Sequence, residues 1–152
     1  AEVLLVSRST NRAEQAVDAL AASLDDAARS RLRPVGLDAQ GVFERALAQA
    51  DVLFASGAAG VELLSDSQLA VASRVKVAVD LNAVPPAGIA GIAPTDAGQR
   101  REDRVDYGAL GVGELKMKIH RRAIAALFES NDRVLDTEAI YDLGRQLINA
   151  RT

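Results

Sequence analysis

Two stretches of this chain, Glu2–Val6 (EVLLV) and Asp51–Ala55 (DVLFA), are apolar at almost every position instead of every second one. A strand with one face in water alternates polar and apolar side chains, because successive residues point to opposite faces. A continuous run needs cover on both. Helical patterns separate such runs throughout, and that alternation predicts a parallel sheet covered on both faces. The expected order is strand Glu2–Val6, a helix from about Asn11 to Ser30, strand Arg33–Leu37, helix Gly41–Ala50, strand Asp51–Ala55, helix Ser65–Ala72 and strand Val75–Leu81. In the first helix Ala16, Ala19, Leu20 and Leu24 recur at helical spacing, and in the second Val42, Ala46 and Leu47 form the inner face. Pro85-Pro86 and the glycines beyond it break the pattern, with Gln99–Asp106 read as a charged loop. Helices Gly113–Glu129 and Thr137–Ala150 close the chain, the second with Asp136 as its cap.

The fold class is therefore α/β, a doubly wound parallel sheet of Rossmann type with right-handed crossovers. One part of that pattern has no counterpart: the first strand and the G-x-G-x-x-G turn that holds a pyrophosphate. Gly57 and Gly60 follow a later strand and do not replace it. The domain is expected to be incomplete at its N-terminus, in keeping with a start on Ala1, not Met, and a strand at once.

Composition narrows the class further. The chain has 152 residues, 49% hydrophobic and 26% charged, enough for one domain with a real core. Aromatics are only 3%, so Val, Leu, Ile and Ala must build that core. A net charge of −3 argues against a general nucleic-acid or anionic-membrane binder. The absence of cysteine excludes disulfides and thiolate chemistry and fits a cytoplasmic protein. No apolar run is long enough to span a bilayer, and no signal peptide is visible.

Ligands of open parallel sheets bind beyond the carboxyl ends of the strands, which singles out three loops. The first is Ser7-Arg8-Ser9-Thr10-Asn11-Arg12, where dinucleotide-binding folds meet the adenosine ribose. Enzymes for NAD place an acid there for the 2′-hydroxyl, whereas this turn holds hydroxyls, two guanidiniums and no carboxylate. Ser7, Arg8, Ser9, Thr10 and Arg12 therefore suit the 2′-phosphate of NADP, since Arg presents a fork of donors to phosphate oxygens. The same Ser-Thr-Asn run also reads as an ordinary helix cap, and both readings can hold together. The second loop, Ser56–Gly60, has no bulky side chain, so Gly57 and Ala58 allow close approach of a ribose or nicotinamide; a plain tight turn is the alternative. In the third, Asp80–Gly91, Asn82 has an amide suited to a carboxamide or a pterin edge, and Asx-turn chemistry at Asp80 and Asn82 is the alternative. The helix from Gly113 carries Lys116, Lys118 and the single histidine, His120, in a chain with three lysines and fifteen arginines. Lys116 is a candidate for a ligand contact near the helix N-terminus, and His120 reads as a packing residue.

VDLNAVPPAGIAGI (Val79–Ile92) and YGALGVGELKMKIHRRAIAALFES (Tyr107–Ser130) together resemble the NADP-dependent methylene-tetrahydromethanopterin and methylenetetrahydrofolate dehydrogenases of methylotrophic bacteria. The resemblance extends through ASGAAGVELL at Ala55–Leu64 to Glu138–Leu147, nearly the whole chain. It implies a C-terminal Rossmann domain paired with an N-terminal pterin-binding domain that this chain lacks, and assembly into a homo-oligomer. The reaction it implies is hydride transfer from the methylene bridge of the tetrahydropterin to C4 of NADP⁺. Adjacent pterin nitrogens stabilise the resulting methenyl cation, so no residue is assigned as a catalytic base. By the same resemblance, Gly57, Ala58 and Asn82 would line the ribose–nicotinamide path and Lys116 would touch the pterin. Two alternatives are an NADP domain of shikimate dehydrogenase or glutamyl-tRNA reductase type, and a non-enzymatic NADP-sensing module.

Overall fold

The computed structural model of the protein describes residues 1–39 and 41–150. Strand β1 (Val3–Ser7) runs parallel to β2 (Leu32–Gly36), and the two form a small sheet. Between them lie helix α1 (Thr10–Ala21) and a short helix α2 (Asp26–Arg29). The single long helix expected over 11–30 is thus two, because Asp25 caps a new start by accepting the Ala28 N–H at 2.7 Å. An acceptor at that position satisfies an orphan donor of the new first turn, and the alanine-rich spacing around it gives no hint of the break.

Helix α3 (Val42–Gln49) leads to the larger sheet, in the order β3 (Val52–Ala55), β4 (Val77–Asp80), β6 (Arg104–Tyr107), β5 (Ala97–Arg101). Helix α4 (Asp66–Val71) joins β3 to β4 and begins with a reciprocal capping box between Ser65 and Gln68. β3, β4 and β6 are mutually parallel, and β5 is an antiparallel edge. The segment expected as a charged loop at Gln99–Asp106 is therefore mostly a β-hairpin. Its turn uses a positive φ at Glu102, and Gly98, at φ 87°, sits where the β5–β6 register shifts. An ion network holds it. Asp106, fully buried, accepts from Arg101 Nη1 at 2.8 Å and from Arg104 Nε and Nη2 at 2.6 and 3.0 Å. Burial opposes the charge on Arg101, but hydrogen bonds to Asp96 and Asp106 outweigh it and raise that guanidinium above its ordinary range.

Helices α5 (Gly113–Leu127) and α6 (Thr137–Asn149) follow as an antiparallel pair, with Asp136 capping α6 through the Ala139 N–H. The pair is close enough that a Cβ on buried Gly144 would lie 3.1 Å from Ile119 Cδ1. One core serves both sheets. Val35 of β2, Phe43 and Leu47 of α3, Ala55 of β3 and Ala78 of β4 belong to a single buried cluster with Leu64, Ile89 and Ile92. Leu47, 2% exposed, gains on the order of 1.5–3 kcal/mol from that burial. The architecture is α/β and Rossmann-like, and among the described residues no helix is long and apolar enough to cross a membrane.

Candidate cofactor site

Beyond the carboxyl end of β1, the chain turns at once into α1. Ser9 is the cap, its backbone extended and its Oγ accepting the Arg12 N–H at 3.4 Å. The capping alternative for this turn therefore holds. Ser7 is half-buried, while Arg8 and Arg12 are exposed. Among the described residues neither guanidinium forms an ion pair or a side-chain hydrogen bond, which leaves two free forks of donors at one turn.

The structure also brings in a carboxylate that the turn itself lacks. Asp38, just past β2, accepts both the N–H and the Oγ–H of Thr10 through one oxygen, each at 2.8 Å. The Thr10 hydroxyl, then its N–H, hold the Asp38 carboxyl below its ordinary value of 3.8. Both donors of Thr10 are thus committed, so Thr10 presents no spare donor, whereas Arg8 and Arg12 do. Nothing in the local sequence points to Asp38, which lies 28 residues from Thr10 and meets it only because β1 and β2 are adjacent.

The other two loops form one unit beyond β3 and β4. Leu63 and Leu64 both donate their N–H to the Gly88 carbonyl, at 2.8 and 3.0 Å, and Ala90 donates back to Leu64 at 2.8 Å. Gly60, at φ 72°, packs over Val84 and Pro85, in a stretch where the Pro85–Pro86 bond is cis. Gly57 and Ala58 are exposed at the rim, and a Cβ on Gly57 would come within 2.7 Å of Leu63. The bare backbone there is needed for packing as well as open to an approaching ligand.

Asp80 organises the deep side of this unit. It is 2% exposed and accepts the N–H of Asn82 at 2.9 Å with one oxygen and that of Ile89 at 3.0 Å with the other. The Asx turn considered for Asp80 is therefore present. Asn82 is different. Its backbone is fixed by that turn, yet its side-chain Nδ2, in a residue 6% exposed, has no hydrogen-bond partner. A buried amide without a partner costs about 1–3 kcal/mol, and such groups are rare in folded proteins. Gly88 makes room for it, since a Cβ there would fall 2.1 Å from Nδ2.

Lys116 lies exposed near the start of α5 and has no polar partner among the described residues, while Lys118 pairs with Glu114. No hydrogen bond or ion pair joins Lys116 to the three loops. His120 is exposed on the same helix. Among the described residues no cluster of three His, Asp or Glu side chains is placed to hold a metal. A concavity does exist between α4 and the β5–β6 turn, lined by Leu69, Val75, Arg101 and Asp103. It opens at the amino ends of β4 and β6, the end opposite to the three loops.

No protein-family model matches the chain. It is 36% identical over 157 aligned positions to the bifunctional protein MdtA of Methylorubrum extorquens, a match covering 97% of this chain and 50% of that protein. It is 37% identical over 111 positions to the NAD(P)-dependent methylenetetrahydromethanopterin dehydrogenase of the same bacterium, covering 67% of this chain and 35% of that protein. The chain thus spans half the length of the first relative and less of the second.

Proposed function

We propose that the chain is a member of the methylene-tetrahydropterin dehydrogenases and forms the NADP-binding part of an enzyme that oxidises methylene-tetrahydromethanopterin or methylene-tetrahydrofolate. The observation that carries this reading is the buried, unpartnered Nδ2 of Asn82 at the carboxyl end of β4. A donor held there at a cost of its own is suited to the carboxamide oxygen of a nicotinamide or the carbonyl of a pterin. Similarity to MdtA over 97% of the chain, and to a protein named as an NAD(P)-dependent methylenetetrahydromethanopterin dehydrogenase, supports the same assignment.

Bound nicotinamide supplies the hydride acceptor; the residues of this chain bind and orient. Arg8 and Arg12 are free to take phosphate oxygens, with Ser7 beside them. Their presence favours NADP, because a charge-assisted contact contributes about 1.5–3 kcal/mol, roughly tenfold or more in affinity. Asp38 works the other way. Its carboxylate, kept ionised by Thr10, stands at the same helix N-terminus where a 2′-phosphate would be received, so the discrimination against NAD is moderated. Gly57 and Ala58 give the ribose a bare backbone to approach. Asn82 fixes the orientation of the reacting ring, and Lys116 is assigned to the pterin. Positioning of this kind, without an acid or base, is a sufficient source of rate where the product cation is stabilised by its own nitrogens.

The test is NADPH formation by the full-length protein, given NADP⁺ with each methylene-tetrahydropterin in turn. Turnover with either supports the dehydrogenase reading and names the one-carbon carrier. Binding of NADP⁺ without turnover on both overturns it in favour of a cofactor-sensing module, and turnover of shikimate in their place overturns it in favour of that enzyme class.

A further inference from the structure

Gly88 is the residue at which the two loops beyond β3 and β4 meet. Its carbonyl accepts the N–H groups of both Leu63 and Leu64, at 2.8 and 3.0 Å, and the next residue, Ile89, forms a parallel bridge with Leu64. Leu63 in turn packs under Gly57, whose added Cβ would lie 2.7 Å from it. One carbonyl thus ties the Ser56–Gly60 loop to the segment after β4. On its other side Gly88 borders Asp80 and Asn82, since a Cβ there would lie 2.1 Å from Asn82 Nδ2 and 2.7 Å from Asp80 Oδ1.

The backbone does not require glycine at this position. Gly60 and Gly91 in the same unit have positive φ, 72° and 77°, whereas Gly88 does not. What the chain needs at residue 88 is empty space, not conformational freedom. The two groups beside that space are unequally held. Both oxygens of Asp80 are committed, accepting the N–H groups of Asn82 and Ile89 at 2.9 and 3.0 Å, and the residue is 2% exposed. The Asn82 amide nitrogen has no partner among the described residues and is held by packing alone. A methyl group at residue 88 would therefore displace the amide first. Turning that nitrogen aside breaks no hydrogen bond, whereas moving the carboxylate breaks two.

We propose that Gly88 is a positioning residue that fixes the Asn82 amide relative to the Ser56–Gly60 loop, by its missing side chain on one side and its carbonyl on the other. That the linked subsites receive a nicotinamide and its ribose rests on the proposed function; the linkage itself does not. On that reading the ring and the sugar are adjacent parts of one nucleoside, so the spacing of their contacts is set before the ligand arrives. A misplacement of about 1 Å at such a contact is enough to cost roughly a hundredfold in rate.

Side-chain and backbone amide NMR on the ligand-free, full-length protein tests the linkage, with Gly88→Ala as the variant. The Asn82 side-chain amide signals are expected to shift, while the amides of Leu63 and Leu64 keep the Gly88 carbonyl and their protection from exchange. Unmoved Asn82 signals overturn the proposal. So does lost protection of Leu63 and Leu64, which would make Gly88 a packing requirement of the whole unit. Should Gly88→Ala not fold, the protein carrying both Asn82→Ala and Gly88→Ala decides: recovered folding supports displacement of the amide, and continued failure overturns it. The kinetic arm uses NADP⁺ with each methylene-tetrahydropterin. Gly88→Ala should lower kcat by about tenfold or more with KM for NADP⁺ nearly unchanged, and the double variant should be no slower than Asn82→Ala alone. Losses that multiply overturn the positioning role. Absence of turnover by the unaltered protein removes the reaction reading instead, and the ligand-free NMR then decides the linkage by itself.

Discussion

The small sheet and the large sheet carry their polar groups in opposite ways. Beside β1 and β2 these groups are charged and exposed: Arg8, Arg12 and Asp38 meet water as much as they meet the protein. Beside β4 and β6 they are buried: Asp80 and Asn82 in one loop, Asp106 in the hairpin. Exposed charges attract an anion at little cost to the fold, and salt screens them. Buried polar groups must be satisfied or the fold is penalised, so they fix geometry. On the proposed reading, the first region would select a ligand and the second would place one.

Substitutions can break this contrast, and the largest effect belongs to the buried side. Asp106→Ala leaves two guanidiniums facing an empty site, and is expected to cost about 3–5 kcal/mol of stability. Denaturant unfolding measures it; a loss no greater than for an exposed ion pair would show that the hairpin is not held from within. On the proposed function, Arg8→Ala in the full-length protein should raise KM for NADP⁺ by about tenfold or more and leave NAD⁺ unchanged. Equal effects on both cofactors would remove the phosphate assignment.

Asn82→Ala separates placing from stability. It deletes an unpaired buried donor, so the free protein should be as stable as before or up to about 1 kcal/mol more so, while kcat/KM falls with both cofactors. A stability loss with unchanged kinetics would make Asn82 structural. Asp38→Asn should have the smallest effect, a shift of several-fold toward NADP⁺, because the amide still accepts from Thr10 but carries no charge. It also has a pH signature. The folded Asp38 carboxyl lies below its ordinary 3.8, so its contribution is complete above that value and lost as pH falls through the lowered one. Thermal melting of Asp38→Asn should lack that part of the acid limb.

The parts legible in the sequence are those where one physical pattern dominates. Continuous apolar runs located β1 and β3 to within a residue or two, and the Ser7–Arg12 turn was recognisable because hydroxyls and guanidiniums follow a strand without an acid. Asn82 was legible from its place just past a buried strand. The β5–β6 hairpin was not, since Arg100, Arg101, Glu102, Asp103 and Arg104 read as a solvated loop until Asp106 is seen buried among arginines. Periodicity reports hydrophobic faces and is blind to burial achieved by pairing charges. Asp38 was missed for a related reason: its role depends on strand adjacency across 28 residues, which no local pattern encodes.

The link between Asp38 and Thr10 exists only because Gly36 is bare, since a Cβ there would lie 2.3 Å from Asp38 Oδ1, from the Thr10 nitrogen and from Thr10 Oγ1. The end of β2 is thereby tethered to the first residue of α1. A transplant of Ser7–Arg12 into another scaffold would carry its donors without the hydrogen bonds that hold Thr10. On the proposed reading, cofactor choice would rest on a discontinuous unit, Ser7–Arg12 together with Gly36 and Asp38, and a graft that omits the distant pair should leave Thr10 untethered and lean further toward NADP⁺.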